Sequence, residues 1–326
     1  MKQPVSYLTT LFLVAVIFVS CGKNNTEKTT ASDLLKGDCN VQLLGIQDKF
    51  FTTDSLAHFT FVNESTGMPK TYHGYDSLYF NAFEYEAVIT DSSYCVLGKS
   101  SATDGDYADV IQTINIYNGN RTIIRPPFTM RGLCYNNATK SFYTVQNDSA
   151  LISFKIIGGA MTSVVVLGAT NLFRMYTSSI SNSNTGKVYV VTSDGRLFVY
   201  DGTSISTIAI AAGYSSLSGF KYNQNDGYLY GINSFEISGA IVADSIVKID
   251  PSTGAANSLL KLPYRFNVDF YSTVLDQCNN VFVISTAGTL NKTTINSYFT
   301  VYNCATNKSA SITNPSPSYK GLAIKY

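Results

Sequence analysis

The chain of 326 residues has no tryptophan, only two histidines, few charged residues (14%) and no long apolar run beyond its N-terminal segment. Each shortage excludes something. His58 and His73 both fall in the N-terminal part, away from any channel the later repeats build, so a histidine-based triad or metal centre is not expected. A net charge of +1 leaves no electrostatic footprint for nucleic acid or for an anionic membrane surface. No two cysteines have CxxC spacing, which removes the usual zinc pair. No helical period appears after Lys36. What remains is abundant Tyr, Phe, Asn, Ser and Thr, the composition of an exported β protein kept soluble by neutral polar groups.

The first residues read as processing signal. An early Lys2 precedes an apolar run from Leu8 to Val19, too short to span a bilayer comfortably, and then Ser20-Cys21. The ending "FVSC" resembles a bacterial lipobox, with Phe18 in place of the usual Leu, which implies Cys21 as the lipidated residue. We therefore expect a lipoprotein signal peptide at 1–20, a flexible tether at 21–38 and a single domain at 39–326, exported and lipid-anchored at the outer membrane. Lys23 rather than an acidic residue leaves the sorting step open.

Five cysteines remain, Cys39, Cys95, Cys134, Cys278 and Cys304, and an odd number leaves at least one unpaired. Cys278 with Cys304, inside one repeat, is the favoured pair; the alternative is that all are buried thiols packing as small hydrophobes.

The body of the chain repeats. Units beginning at Phe83, Arg131, Thr177, Ser218 and Phe270 each read strand, polar turn, strand, loop, strand, tight turn, strand. Their period of roughly 40–50 residues is that of one propeller blade. The final "KGLAIKY" matches only the opening strand, as in "RGLCY" and "SGFKY", and 48–74 offers the partners it lacks. A blade shared between the termini closes a ring and removes exposed edges. The expected fold is an all-β propeller of four-stranded blades, six in number, or seven if 40–47 and 75–81 hold further strands. A stack of β-sandwiches would not give so regular an order or the orphan last strand.

"GYLYGIN" (227–233) followed by "DSIVKIDPSTGA" (244–255) is similar to propeller repeats of the quinoprotein-like and YVTN-like type, with weaker echoes at 187–202 and 141–159. The resemblance implies architecture only, because many unrelated activities share it. The tryptophans common in quinoprotein repeats are missing, so no quinone and no other cofactor is expected.

In such a ring the connections between blades gather at one channel mouth. Basic and aromatic residues recur in them: Arg125, Arg131, Arg174, Arg265 and Lys320, interleaved with Phe128, Phe173, Tyr214, Tyr264 and Tyr319. One reading is a pocket for a polar or anionic ligand with a flat face. The other is that the rings seal blades together and the arginines pair with acids. Asp104, Asp106 and Asp109 loosely resemble a calcium loop, but the Gly and Glu that such a loop needs do not match, and no metal is expected. Ser55, Ser77, Ser149 and Ser245 each follow Asp and precede a small or aliphatic residue, which resembles the O-glycosylation signal of Bacteroidota; ordinary turn and strand-edge serines look the same.

The leading expectation is a non-enzymatic binding module at the cell envelope, its site at the channel mouth, its partner a glycan, organic anion or envelope protein. The alternatives are an enzyme acting on glycans or lactone-like substrates, and a scaffold of an outer-membrane complex.

Overall fold

The computed structural model describes residues 29–35, 39, 41–47, 57–75, 86–99, 109–169, 177–192, 194–214, 216–237, 240–262, 270–290, 294–314 and 319–326. A short helix, α1 (Ala31–Leu34), is followed by β1 (Gln42–Gln47), β2 (Ala57–Val62) and β3 (Pro69–Tyr75). The first blade is β4 (Ala87–Ile89), β5 (Ser93–Lys99), β6 (Asp109–Asn115) and β7 (Arg121–Ile124). The second is β8 (Met130–Asn136), β9 (Ser141–Gln146), β10 (Ala150–Ile157) and β11 (Ala160–Ala169). The third is β12 (Thr177–Asn182), β13 (Val188–Thr192), β14 (Arg196–Tyr200) and β15 (Ile205–Ala209). The fourth is β16 (Leu217–Tyr222), β17 (Leu229–Ile237), β18 (Ala240–Ile249) and β19 (Ala256–Lys261). The fifth is β20 (Phe270–Asp276), β21 (Val281–Leu290), β22 (Thr294–Asn303) and β23 (Lys308–Asn314). The last strand, β24 (Tyr319–Lys325), pairs antiparallel with β1, giving a sixth sheet of order β24-β1-β2-β3.

The first strands of successive blades are neighbours, from β4 through β8, β12, β16, β20 and β24 back to β4, so the sheets form a closed six-bladed propeller. The blade shared between the two ends of the chain is present, and Gln42–Gln47, which the sequence left as material for a seventh blade, is its second strand. His58 and His73 lie in β2 and β3, the two outer strands of that sheet. Among the described residues no helix is long and apolar enough to cross a membrane.

The core is distributed around the ring, not collected at one centre. Each of six hydrophobic clusters is built by two adjacent blades, as where Leu97 and Ile111 of the first meet Leu133, Phe142 and Ile152 of the second. Strands are therefore buried on both faces; all five residues of β13 are buried. This is why continuous runs such as "VYVVT" replace strict alternation. The tight turns are held by side chains. In "DPSTG", Asp250 Oδ1 accepts from the Ser252 N–H (2.8 Å) and hydroxyl (2.6 Å), and Gly254 supplies a φ of +75°.

Two expectations need correction. The disulfide joins Cys39 to Cys278, while Cys304 is a buried free thiol along with Cys95 and Cys134. The partners are 239 residues apart and meet only because ring closure sets the start of the sixth blade beside the β20–β21 turn of the fifth. The stretch 21–38 is not tether throughout. Thr30 and Asp33 form a capping box, and Ala31 and Leu34 are buried beside Phe299 and Val301.

A buried carboxyl lies at the same seam. Glu64, in the β2–β3 turn, has an Oε1 atom that is buried and without a hydrogen-bond partner among the described residues. Burial first, and the charge of Asp276 second, push its carboxyl up to about 8. A carboxyl raised in the folded state binds a proton that the unfolded chain has released. Stability is therefore full below the ordinary value near 4.5 and falls as pH rises from there to about 8. Glu64→Gln should remove that slope and be more stable than the parent at pH 8.5. Urea unfolding at pH 5, 7 and 8.5 measures it, and parallel pH profiles for the two proteins would refute the assignment.

Candidate binding cavity on the propeller axis

A cavity of about 540 Å³ lies on the ring axis, lined by residues from all six innermost strands. It is built from their C-terminal halves and from the turns that lead to each second strand, and so it opens on the face that carries those turns. That is the mouth opposite the blade-to-blade connections where the sequence placed the site. The lining is mixed: aliphatic side chains such as Val88, Leu133, Ile180 and Leu275 share it with Asn136, Asn137, Asn182 and Asn184 and with Tyr135, Tyr222 and Tyr326.

The local sequence sets this geometry. In β8 and β16, Gly132 (φ +69°) and Gly219 (φ +65°) make a bulge that shifts the register against the second strand. A Cβ on Gly132 would sit 2.7 Å from Ile180, and one on Gly219 would sit 2.8 Å from Thr273, so only glycine lets neighbouring blades approach this closely. Immediately before β4 the corresponding residue is Glu86. Its Oε2 accepts the Leu133 N–H of the second blade (2.8 Å), and the carboxylate reaches the Ile180 N–H of the third (3.3 Å) and Lys221 Nζ of the fourth (3.3 Å). Glu86 and Lys221 are largely buried, with side chains 9% and 16% exposed. One carboxylate thus ties the inner strands of four blades together, and Lys221 is the one ionic side chain among the residues lining the cavity. Cys134 also lines it, but burial, reinforced by the charge of Glu86, holds its thiol well above the ordinary value, so it is no thiolate nucleophile.

The rim is stapled by one repeated position, the residue after the turn former that closes each inner strand. Gln224 Nε2 donates to the Asn182 carbonyl (3.2 Å), and its Oε1 accepts the Asn184 N–H (3.0 Å). Gln277 does the same one blade on, donating to Tyr222 O (2.8 Å) and accepting from the Gln224 N–H (2.9 Å). The Tyr326 hydroxyl takes the next place, accepting the Gln277 N–H (2.8 Å). These amides fix the width of the mouth instead of facing a ligand.

At the other mouth, Arg131 Nε donates to Asp148 Oδ1 (3.1 Å) across the second blade. Phe128 packs against the cluster between the first and second blades, Tyr214 against that between the third and fourth. Tyr319 is buried and its hydroxyl donates to the Gly67 carbonyl (2.7 Å). These three rings seal blades together. Arg125 is exposed and Lys320 half-buried at the start of β24. Phe173, Arg174, Tyr264 and Arg265 lie outside the described residues, as do Cys21, Ser55, Ser77, Asp104 and Asp106. Asp109 Oδ2 accepts the Met130 N–H (2.8 Å). Ser149 sits in the β9–β10 turn bonded to the Gln146 carbonyl, while Ser245 is buried in β18.

No protein-family model and no curated protein sequence matches the chain. Among solved structures it is similar to TolB from Acinetobacter baumannii, with a TM-score of 0.61 and 11% identity over 89% of this chain and 67% of that one. It is also similar to the β-propeller domain of Cps50 (Swd1) from Myceliophteria thermophila, with a TM-score of 0.50 and 10% identity over 86% of this chain and 88% of that one. At such identities the likeness is one of fold, and that fold is the β-propeller.

Proposed function

We propose that the chain is an exported, lipid-anchored propeller that binds a hydroxyl-rich polar ligand, a glycan above all, in the axial cavity, without chemical conversion. The observation that carries this reading is the lining, in which Asn137, Asn182, Asn184 and three tyrosines stand among aliphatic residues around a volume typical of small-molecule sites, over a floor whose charge is cancelled within the protein. Rings stack on the apolar faces of sugars, and amides pair with their hydroxyls. The lipidation of Cys21 and the envelope location rest on the N-terminal sequence.

The test is a thermal-shift screen of the protein from Thr26 onward against neutral and acidic glycans and small organic anions. A ligand of the folded state raises the midpoint by mass action. Ala138 is an exposed lining position in the β8–β9 turn, so Ala138→Trp should narrow the mouth while leaving the ligand-free midpoint in place. A glycan shift lost in that variant supports the axial site. No shift with any compound, or a shift that Ala138→Trp does not reduce, refutes it.

A further inference from the structure

A second crevice, of about 600 Å³, opens between the first and second blades beside the axial cavity. Tyr135 lines both. It is half-buried, with its ring packed against Phe142 at a centroid distance of 4.7 Å, and it is the residue at which the two spaces meet. We propose that cavity and crevice form one continuous site for an extended acidic oligosaccharide, running from the axis over Tyr135 and outward between these blades. The inference rests on the axial-binding reading and names its ligand.

Three observations support a chain over a compact ligand. Each space alone has the volume of a drug-sized ligand site, so a single sugar unit leaves most of the pair empty. The chemistry continues without a break, for Thr90, Ser92, Thr113, Asn115, Asn118 and Thr122 line the crevice as amides and hydroxyls line the cavity. The charge does not continue. On the axis Lys221 is cancelled by Glu86; in the crevice Asp91 and Lys140 pair at 2.7 Å and exposed Lys155 adds one more positive charge. A ligand with an acidic group on its outer units matches that balance.

A peptide fits less well. Extended peptides are held by the free backbone of a strand edge. Here part of the wall is a turn whose amides are already used, with Asn115 Oδ1 accepting from Tyr117 and Asn118 N–H, and Asn118 Oδ1 accepting from Asn120 N–H. The side chains of Ser92, Thr113 and Thr122 remain on the wall to meet a ligand.

The experiment is titration calorimetry with alginate oligomers of two, four and six units, matched cello-oligosaccharides, and poly-glutamate. The acidic hexamer should bind about tenfold more tightly than the dimer, a gain of ~1.4 kcal/mol. In Lys155→Glu, a change at an exposed residue, that hexamer-to-dimer ratio should fall towards one. Equal affinities for dimer and hexamer overturn the extended site and leave the axial one standing. A length gain that is the same in the neutral series, or that survives Lys155→Glu, overturns the acidic ligand. Poly-glutamate binding as tightly as the hexamer overturns the sugar, and failure of every glycan overturns both this inference and the axial reading.

Discussion

Glu86→Ala should lower the unfolding free energy by about 3–5 kcal/mol, the range for removing one partner of a buried ion pair. The loss has two parts. Lys221 keeps its charge at a site only 16% exposed, with nothing left to pair it. The Leu133 N–H, which Glu86 takes at 2.8 Å, is also stranded, and the Ile180 N–H loses its 3.3 Å contact. Glu86→Gln retains an amide oxygen for Leu133 but not the charge, and a smaller loss of about 1–3 kcal/mol is expected. Lys221→Met combined with Glu86→Gln should recover part of it, since no uncompensated charge remains. Urea denaturation of the four proteins measures this, with midpoints compared at constant slope. A Glu86→Ala protein within about 1 kcal/mol of the parent would show that the carboxylate does not hold the inner strands together. The prediction separates this bridge from the exposed pair of Lys140 with Asp91, where substitution should change little.

The repeat was legible because the chemistry that makes each turn is local. Asn136, Asn223 and Asp276 close their turns with the same side-chain-to-backbone bonds, and the Gly of "RG", "SG" and "KG" marks the same bulge in β8, β16 and β24. The orphan strand was legible for the same reason, being a copy of an opening strand with no partners after it. The site was not, because its members come together only when the ring closes. Glu86 and Lys221 are 135 positions apart, and "EYEAVI" gives no sign that one glutamate fills the place of a bulge glycine in the next blade. The aromatics of the inter-blade connections could not be sorted from the sequence, because packing and ligand stacking use the same residue types. Phe128, Tyr214 and Tyr319 do the packing. A usable signal was present in the residue after each turn former, where Gln224 and Gln277 recur at one repeat position and staple the mouth that is open.

Breaking the Cys39–Cys278 bridge should cost about 2–5 kcal/mol, the range for native disulfides. The loop it closes spans 239 residues, so in the chain-entropy account it restricts the unfolded ensemble near the upper end of that range. Its position adds a second reason. The ring is shut by the ladder between β1 and β24, by the cluster that includes Ala31, Leu34 and Leu43, and by this bridge to the fifth blade. Without it, β1–β3 hold to β24 and the fifth blade by non-covalent contacts alone. Cys278 is exposed, so reductant reaches the bridge in the folded protein. Reductant should therefore lower the midpoint of the parent and leave Cys39→Ser unmoved. Cys95, Cys134 and Cys304 are buried, and burial raises all three thiols, Cys95 and Cys304 to about 12. The folded protein from Thr26 onward should thus present no thiol to an aromatic disulfide reagent, and three after unfolding. Cys304→Ser is the decisive control, because the sequence alone favoured pairing it with Cys278. It should keep full sensitivity to reductant and lose one thiol from the unfolded count. If it abolished the sensitivity instead, the bridge would lie within the fifth blade, and the seam would be held by hydrogen bonds and packing alone.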